Sequence, residues 1–459
     1  MQRMGVGAII AVASICIAIT ALVSGLNSTS LSISCSGSVR ANAPFTVTGV
    51  NGVYTGKNDI TGQTTSGSDA AAVIPTVFGW MSSGQSVELI GNFTWASALT
   101  LSKSITMNCK QATITLAVNT NYPFTISSAR VTILGGNWIG SIDGTWMLFQ
   151  GVGSSYSVVD GADFRNFGIY ESYGSLPTNL AIQNCTFHNR SAGGTVTQCI
   201  GLTGSNTVIK NCRFLHNAWI GIFIEYTSYN NQILNCEFTD ESISHFMYIS
   251  GANGGQGGGN IITGCWFHDQ PGTSDVPGAI QIKCANNKIY GNTFERYGVS
   301  ANGDPNVAVF SIYSQWTGTT ANNNEIYNNT FTNISTVFWI GHGSDSVSPT
   351  VGNKIHDNTF TNVSTCVLLN PDSGAVAPVQ ATWVYYNDFI NCAHPFDPSS
   401  APSTLIKDTV IAYNNFSATV PNADVTALKS YVNTLIYGNT PWLADYPVPL
   451  PPNLPIPPP

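Results

Sequence analysis

Three side chains suited to moving protons, Glu225, Lys283 and His342, stand at or just past the ends of short alternating runs in a repetitive sequence. A carboxylate, an ammonium and an imidazole are the groups from which general acid–base catalysis is built. Near them lie Phe223, Tyr248, Gln281, Tyr313 and Trp339, which offer ring faces and an amide to a sugar-like ligand. A second group, Asp240, Glu241, His245, His268, Asp269, Asp275, Glu295 and Arg296, follows a different turn. Within it, Asp240, Glu241 and Asp269 supply the all-oxygen donor set of a Ca2+ site. Asp240 with Asp269 or Glu295 also meets the ~6.5–9.5 Å carboxyl separation of an inverting glycosidase. Solvated turn acids satisfy the same pattern, and remain the simpler reading of that group.

The elements that position these residues come from a phrase spoken nine times between Ile182 and Phe416: an aliphatic residue, two variable ones, Asn or Cys, one more, then Phe. Examples are Ile182 to Phe187, Ile233 to Phe238, Ile289 to Phe294 and Ile326 to Phe331, with weaker copies at Val159 to Phe164 and Ile133 to Trp138. The Phe recurs roughly every 23–37 residues, a period that marks stacked supersecondary units. Each phrase is followed by an alternating run, such as Gly221-Ile-Phe-Ile, Ala279-Ile-Gln-Ile or Phe338-Trp-Ile. Alternation turns one side of each run inward and the other outward. The outward positions then align as Gly201, Phe223, Tyr248, Gln281, Ser311, Trp339 and Leu368. A second row follows two residues later, with Thr203, Glu225, Ser250, Lys283, Tyr313 and, displaced by one, His342. Such a row fits carbohydrate contact, a subunit interface in a homo-oligomer, or a face covered by the chain's own loops.

The slot two before each Phe holds Cys185, Cys212, Cys236 and Cys265, then Asn292, Asn329, Asn358, Asn387 and Asn414. A repeated Asn can bond its amide up and down a stack, and a small Cys fits the same slot as a compact hydrophobe. The Ile-x-x-Asn-x-Phe repeat, as in Ile326-Tyr-Asn-Asn-Thr-Phe331, resembles the asparagine-ladder right-handed parallel β-helix of the pectin lyase-like superfamily. The resemblance implies an all-β solenoid of about ten coils. It also implies an amino-terminal capping helix, for which Ser68 to Met81 is the candidate, with Ser68 or Asp69 as N-cap and Pro75 as a kink point. The superfamily includes lyases, hydrolases, epimerases, adhesins and viral spikes, so its activity is left open. Gly341-His342-Gly343 is similar to a polygalacturonase element, but that family's Asn-Thr-Asp, Asp-Asp and Arg-Ile-Lys elements are missing from the expected places. Lys283 or Arg296 matches the basic residue that abstracts a proton near calcium in pectate lyases, without that family's local motifs.

Charged residues make up 9% of the 459, with a net charge of −8 and no basic patch, which excludes a nucleic-acid partner. The eleven cysteines leave at least one unpaired. Adjacent ladder cysteines, and Cys35 with Cys109, are candidate disulfides. The apolar run from Met4 to Leu26 is long enough for a bilayer, which needs ~20 residues. Residues 1–26 are therefore expected to be a transmembrane signal-anchor, with a cleaved leader as the alternative. Residues 27–58 read as a polar stalk or small β extension, 59–420 as the β-helix, and 421–459 as a closing helix and proline-rich tail. Eight N-glycosylation sequons, Asn92 and Asn328 among them, suit an extracellular glycoprotein. Two functions follow: a membrane-anchored surface protein that binds and cleaves polysaccharide as a lyase or glycoside hydrolase, or a non-enzymatic filament, coat, adhesin or virion-spike subunit.

Overall fold

The computed structural model describes residues 43–440 except 119, 141–144, 173–175, 189–197, 217–219, 226, 240–244, 251–256, 271–278, 298–307, 315–319, 343–347, 371–376, 398–402 and 419. The expected anchor over 1–26 and the proline-rich tail lie outside the described residues. Among the described residues no helix is long and apolar enough to cross a membrane.

Each coil contributes three short strands, and each strand pairs in parallel with its counterpart in the next coil. The first column runs through Ala181–Gln183, Val208–Lys210, Gln232–Leu234, Ile261–Thr263 and Lys288–Tyr290. The second runs through Thr186–His188, Arg213–Leu215, Glu237–Thr239, Trp266–Gln270 and Thr293–Tyr297. The third runs through Gln198–Leu202, Ile220–Ile224, Met247–Ile249, Ile280–Ile282 and Phe310–Ser314. No strand buries its apolar side by itself, so the stack as a whole is the core.

Inside, the phrase's Phe residues form one continuous pile. Phe214 to Phe238, Phe238 to Phe267 and Phe267 to Phe294 stack with ring centroids 4.6, 4.7 and 4.6 Å apart and planes within 9°. The bend before each Phe has a fixed backbone shape. The residue ahead of the ladder slot is left-handed in Asn184, Asn211, Asn235, Gly264, Gly291, Asn328 and Asp357, and also in Tyr386 and Tyr413. Asn, Asp and Gly tolerate that conformation best. The slot itself then bonds along the stack. Asn329 Nδ2 donates to Asn358 Oδ1 at 3.1 Å, and the Asn329 backbone N–H donates to the same oxygen at 3.0 Å. Cys265 joins the ladder through its backbone N–H, which donates to Asn292 Oδ1 at 2.9 Å.

A second asparagine ladder, which the Phe phrase does not contain, runs at the corner ahead of the first column. Asn231, Asn260, Asn287, Asn324 and Asn353 are buried, and each amide donates to the next at 2.8–3.1 Å.

The opening helix spans Ala70–Trp80 with Asp69 as its cap, whose carboxylate accepts from the Ala71 N–H at 2.9 Å. It continues through Pro75 and buries Val73, Ile74, Val77 and Phe78. Within residues 27–58, Phe45–Val50 forms a hairpin with Val53–Asn58 and pairs in parallel with Ser86–Trp95, a small β extension joined to the stack. At the other end the closing helix, Asn422–Ser430, does not stop the stack. Leu435–Tyr437 adds a strand on Val410–Ala412, and Asn439 accepts from Asn414 at 3.0 Å. Leu435-Ile-Tyr-Gly-Asn439 keeps the aliphatic and Asn positions but lacks the Phe, which hid it.

Among the described residues all nine cysteines are free thiols. The anticipated ladder disulfides are therefore not formed: Cys212 and Cys236 instead direct their sulfurs at carbonyls of Ile182 and Ile209, at 3.6 and 3.8 Å. Cys109 is free and fully buried, while its proposed partner Cys35 lies outside the described residues.

Candidate functional site

The third column fixes the outward row in register. Gly201 faces Phe223, Phe223 faces Tyr248, Tyr248 faces Gln281, Gln281 faces Ser311, Ser311 faces Trp339, and Trp339 faces Leu368. Lys283 and Glu225 follow directly on their strands, and their backbone N–H groups donate to Ile249 and Leu202 carbonyls at 2.9 and 2.8 Å.

These residues form one cluster. The Lys283 ammonium donates to the Tyr248 hydroxyl. It also lies 4.5 Å from the Tyr248 ring centroid and 5.0 Å from that of Tyr313, within cation–π range. Tyr248 meets Phe223 edge-on at 5.0 Å and His245 at 5.5 Å, and Tyr313 meets Trp339 edge-on at 5.1 Å. The Trp339 indole N–H is buried and has no partner among the described residues.

The row is not the exposed shelf that alternation alone suggests. Gln281 is 2% exposed, Lys283 and Glu225 3%, and Trp339 6%, whereas Phe223, Tyr248 and Tyr313 are half-buried. Alternation points a side chain away from the core but says nothing of what lies above it. Burial has electrostatic consequences. It pulls the Lys283 ammonium down to about 7, because the charged form loses its water. It pushes the Tyr248 hydroxyl up to about 12, with the nearby Glu225 carboxylate adding to the effect. The result is a lysine that gives up its proton near neutrality, bonded to a tyrosine that keeps its own.

In the strand register His342 pairs with Ser314 and Gly341 pairs with Tyr313, so His342 stands one position beyond the row of Lys283 and Tyr313.

Of the proposed metal set, only Asp269 is among the described residues; Asp240 and Glu241 lie outside them. Asp269 is already held: it accepts from Arg296 Nε at 2.5 Å and Nη2 at 3.0 Å, and pairs with His268 Nδ1 at 2.6 Å. The hydrogen bonds from Arg296 and then His268 hold its carboxyl far below the usual carboxylate range. Among the described residues no group of three His, Cys, Asp or Glu is placed to hold a metal.

Two features were not anticipated. Glu171 is fully buried and accepts from the Thr203 and Gly204 N–H groups at 2.8 and 2.6 Å and from the Thr207 hydroxyl at 2.9 Å. Burial pushes its carboxyl up to about 7. Trp266 stands 39% exposed in the second column. The signal for Trp266 was in the sequence, since it occupies an outward position one residue before an inward Phe.

A family model described as right handed beta helix region matches residues 96–294. The fold is a right-handed parallel β-helix. No curated protein matches the sequence. Among solved structures, this β-helix is similar to the catalytic domain of a GH87 α-1,3-glucanase in complex with nigerose. That likeness has a TM-score of 0.54 at 14% identity, covering 76% of this chain and 68% of the other. The PL6 family polysaccharide lyase Pedsa3628 from Pseudopedobacter saltans matches with a TM-score of 0.47 at 14% identity, over 80% of this chain and 90% of that one. The Dettilon tailspike protein matches with a TM-score of 0.41 at 13% identity, over 80% and 65%. At such identities the α-1,3-glucanase supports the architecture of this β-helix, and the site must be argued from its own residues.

Proposed function

We propose that this β-helix binds polysaccharide along its third column and moves protons there with Lys283 and Tyr248. The observation that carries the reading is the buried Lys283 ammonium lying against two tyrosine rings and bonded to one hydroxyl. A lysine held near pH 7 is a base at neutrality, and a tyrosine held near 12 is an acid in reserve. That pair suits β-elimination of a uronosyl unit. Neutral Lys283 takes the proton beside the carboxyl group, the electron pair forms the double bond, and the glycosidic C–O bond breaks. Tyr248 protonates the departing oxygen, and the proton on Lys283 returns to Tyr248 through their hydrogen bond. Phe223, Tyr313 and Trp339 supply ring faces, and Glu225 and Gln281 supply hydrogen bonds. The α-1,3-glucanase of similar architecture is in complex with nigerose, which supports a glycan as the ligand class. The apolar run over 1–26 supports display of the β-helix outside a cell or virion as a single-pass protein.

The near-complete burial of Gln281, Ser311, Lys283 and Trp339 favours a second reading, in which the row is sealed and the protein is a structural or adhesive surface subunit. The deciding experiment incubates the protein with polyuronates and neutral polysaccharides, with and without chelator, and follows binding and the absorbance of unsaturated products. The expected outcome is unsaturated product from a polyuronate, reduced ~10²-fold or more by Lys283→Met. Loss on chelation would add Ca2+ to the site. Binding without product leaves a lectin-like protein, and no binding to any glycan selects the structural reading.

A further inference from the structure

On a chain with so few charges, the second column holds an unusual concentration of them around one exposed indole. Trp266 stacks on His268 with centroids 3.6 Å apart and planes 20° apart, and its Nε1 donates to Glu295 Oε1 at 2.6 Å. His268 is itself held from both sides, by Asp269 at 2.6 Å and Glu237 at 3.3 Å. Glu237 accepts from Arg213 at 2.7 Å, and Arg296 Nη1 donates to Glu295 at 2.7 Å while its other nitrogens grip Asp269. Three carboxylates thus face two guanidiniums and an imidazole, and every one of these groups has a partner within the patch. What the network achieves is to fix the ring. One indole face and the indole N–H are committed, and the ring is nevertheless 39% exposed. The inward neighbour Phe267 anchors the strand beneath it.

We propose that this patch is a glycan-binding site separate from the Lys283 cluster, with Trp266 as the platform for a neutral hexose ring. A fixed aromatic ring loses little entropy on binding, and Trp and Arg are the residues that carry most recognition energy. The apolar C–H face of a pyranose fits the open part of the indole. Its hydroxyls find the spare lone pairs of Glu237, Asp269 and Glu295 and the exposed N–H groups of Arg213 and Arg296. Three carboxylates outnumber two guanidiniums, which disfavours an anionic ligand, and the cations are already paired, so an uncharged sugar is the better fit. The ligand is held here by the second column, one sheet away from the strands that carry Tyr248 and Lys283, and the inference stands whether or not Lys283 is catalytic.

The test measures retention of the protein on dextran, laminarin and galactomannan by affinity electrophoresis, with polygalacturonate as the charged counterpart. Wild type is expected to be retarded by at least one neutral glycan. Trp266→Ala should lose ~10-fold or more of that affinity, as expected of a dominant aromatic contact. Trp266→Phe, which keeps a ring, should retain most of it. Tyr413→Ala, which removes another exposed aromatic, 38% accessible, should bind as wild type. Retardation unchanged in Trp266→Ala, retardation by polygalacturonate alone, or no retardation on any neutral glycan would overturn the proposal. So would a concentration-dependent dimer that Trp266→Ala abolishes, which would make the patch a contact between copies of the chain.

Discussion

Lys283 and Asp269 are both charged, both outward on adjoining sheets, and both far from their ordinary proton affinities, yet for opposite reasons. Lys283 is displaced by lost water, and its charge is a liability to the fold. Asp269 is displaced by Arg296 and His268 while remaining half in solvent, so its charge is comfortable and nearly neutral for stability. A solenoid that maximised its stability would place a hydrophobe at Lys283. A lysine there accords with the proton transfer proposed above, whereas the Asp269 network holds one ring in place.

The inward side of the same strands sets the scale for any such comparison. Phe267→Ala removes a ring stacked between Phe238 and Phe294 and is expected to destabilise by ~3–5 kcal/mol, seen as a lowered melting temperature. Melting like wild type would mean that the pile is not the core. Lys283→Met is expected to change how stability varies with pH, because it removes a buried titrating group. The ammonium titrates near 7 in the folded chain against 10.5 ordinarily. Below about 7 both states carry the charge and the folded state bears the full penalty. Between 7 and 10.5 the unfolded chain holds the extra proton, so stability should rise with pH across that window. Lys283→Met should lack that rise. A wild type whose stability is flat from pH 7 to 10 would show that the ammonium is better solvated than its surroundings suggest.

The sequence made the coils and the register legible because both follow from strict rules. The Phe phrase sets the stack, and alternation placed Gly201, Phe223, Tyr248, Gln281, Ser311, Trp339 and Leu368 opposite one another without a slip. The same rule, applied to the end of Thr330–His342, puts Gly341 beside Tyr313 and His342 beside Ser314. The Asn231 to Asn353 ladder was also legible, since an Asn stands two residues before Ile233, Ile262, Ile289, Ile326 and Ile355. Burial of the Lys283 row was not. It depends on what lies over the sheet, and the insertions after each third-column strand differ in length and follow no period. Nor could spacing distinguish an open metal ligand from a carboxylate already clasped by Arg296. That difference lies in a side chain one coil away.

The smallest expected effect sharpens the comparison most. Asp269→Asn removes one exposed partner of Arg296 and of His268 and should cost under ~1 kcal/mol of stability, less at high salt, because pairs in solvent contribute little. If the network exists to orient Trp266, the same substitution should weaken retention on neutral glycan several-fold while the melting temperature barely moves. His268 would lose its closer carboxylate and the indole its fixed support. A fall in melting temperature as large as that of Phe267→Ala would instead make Asp269 a folding residue. It would then stand with the inward pile, and the contrast with Lys283 would vanish.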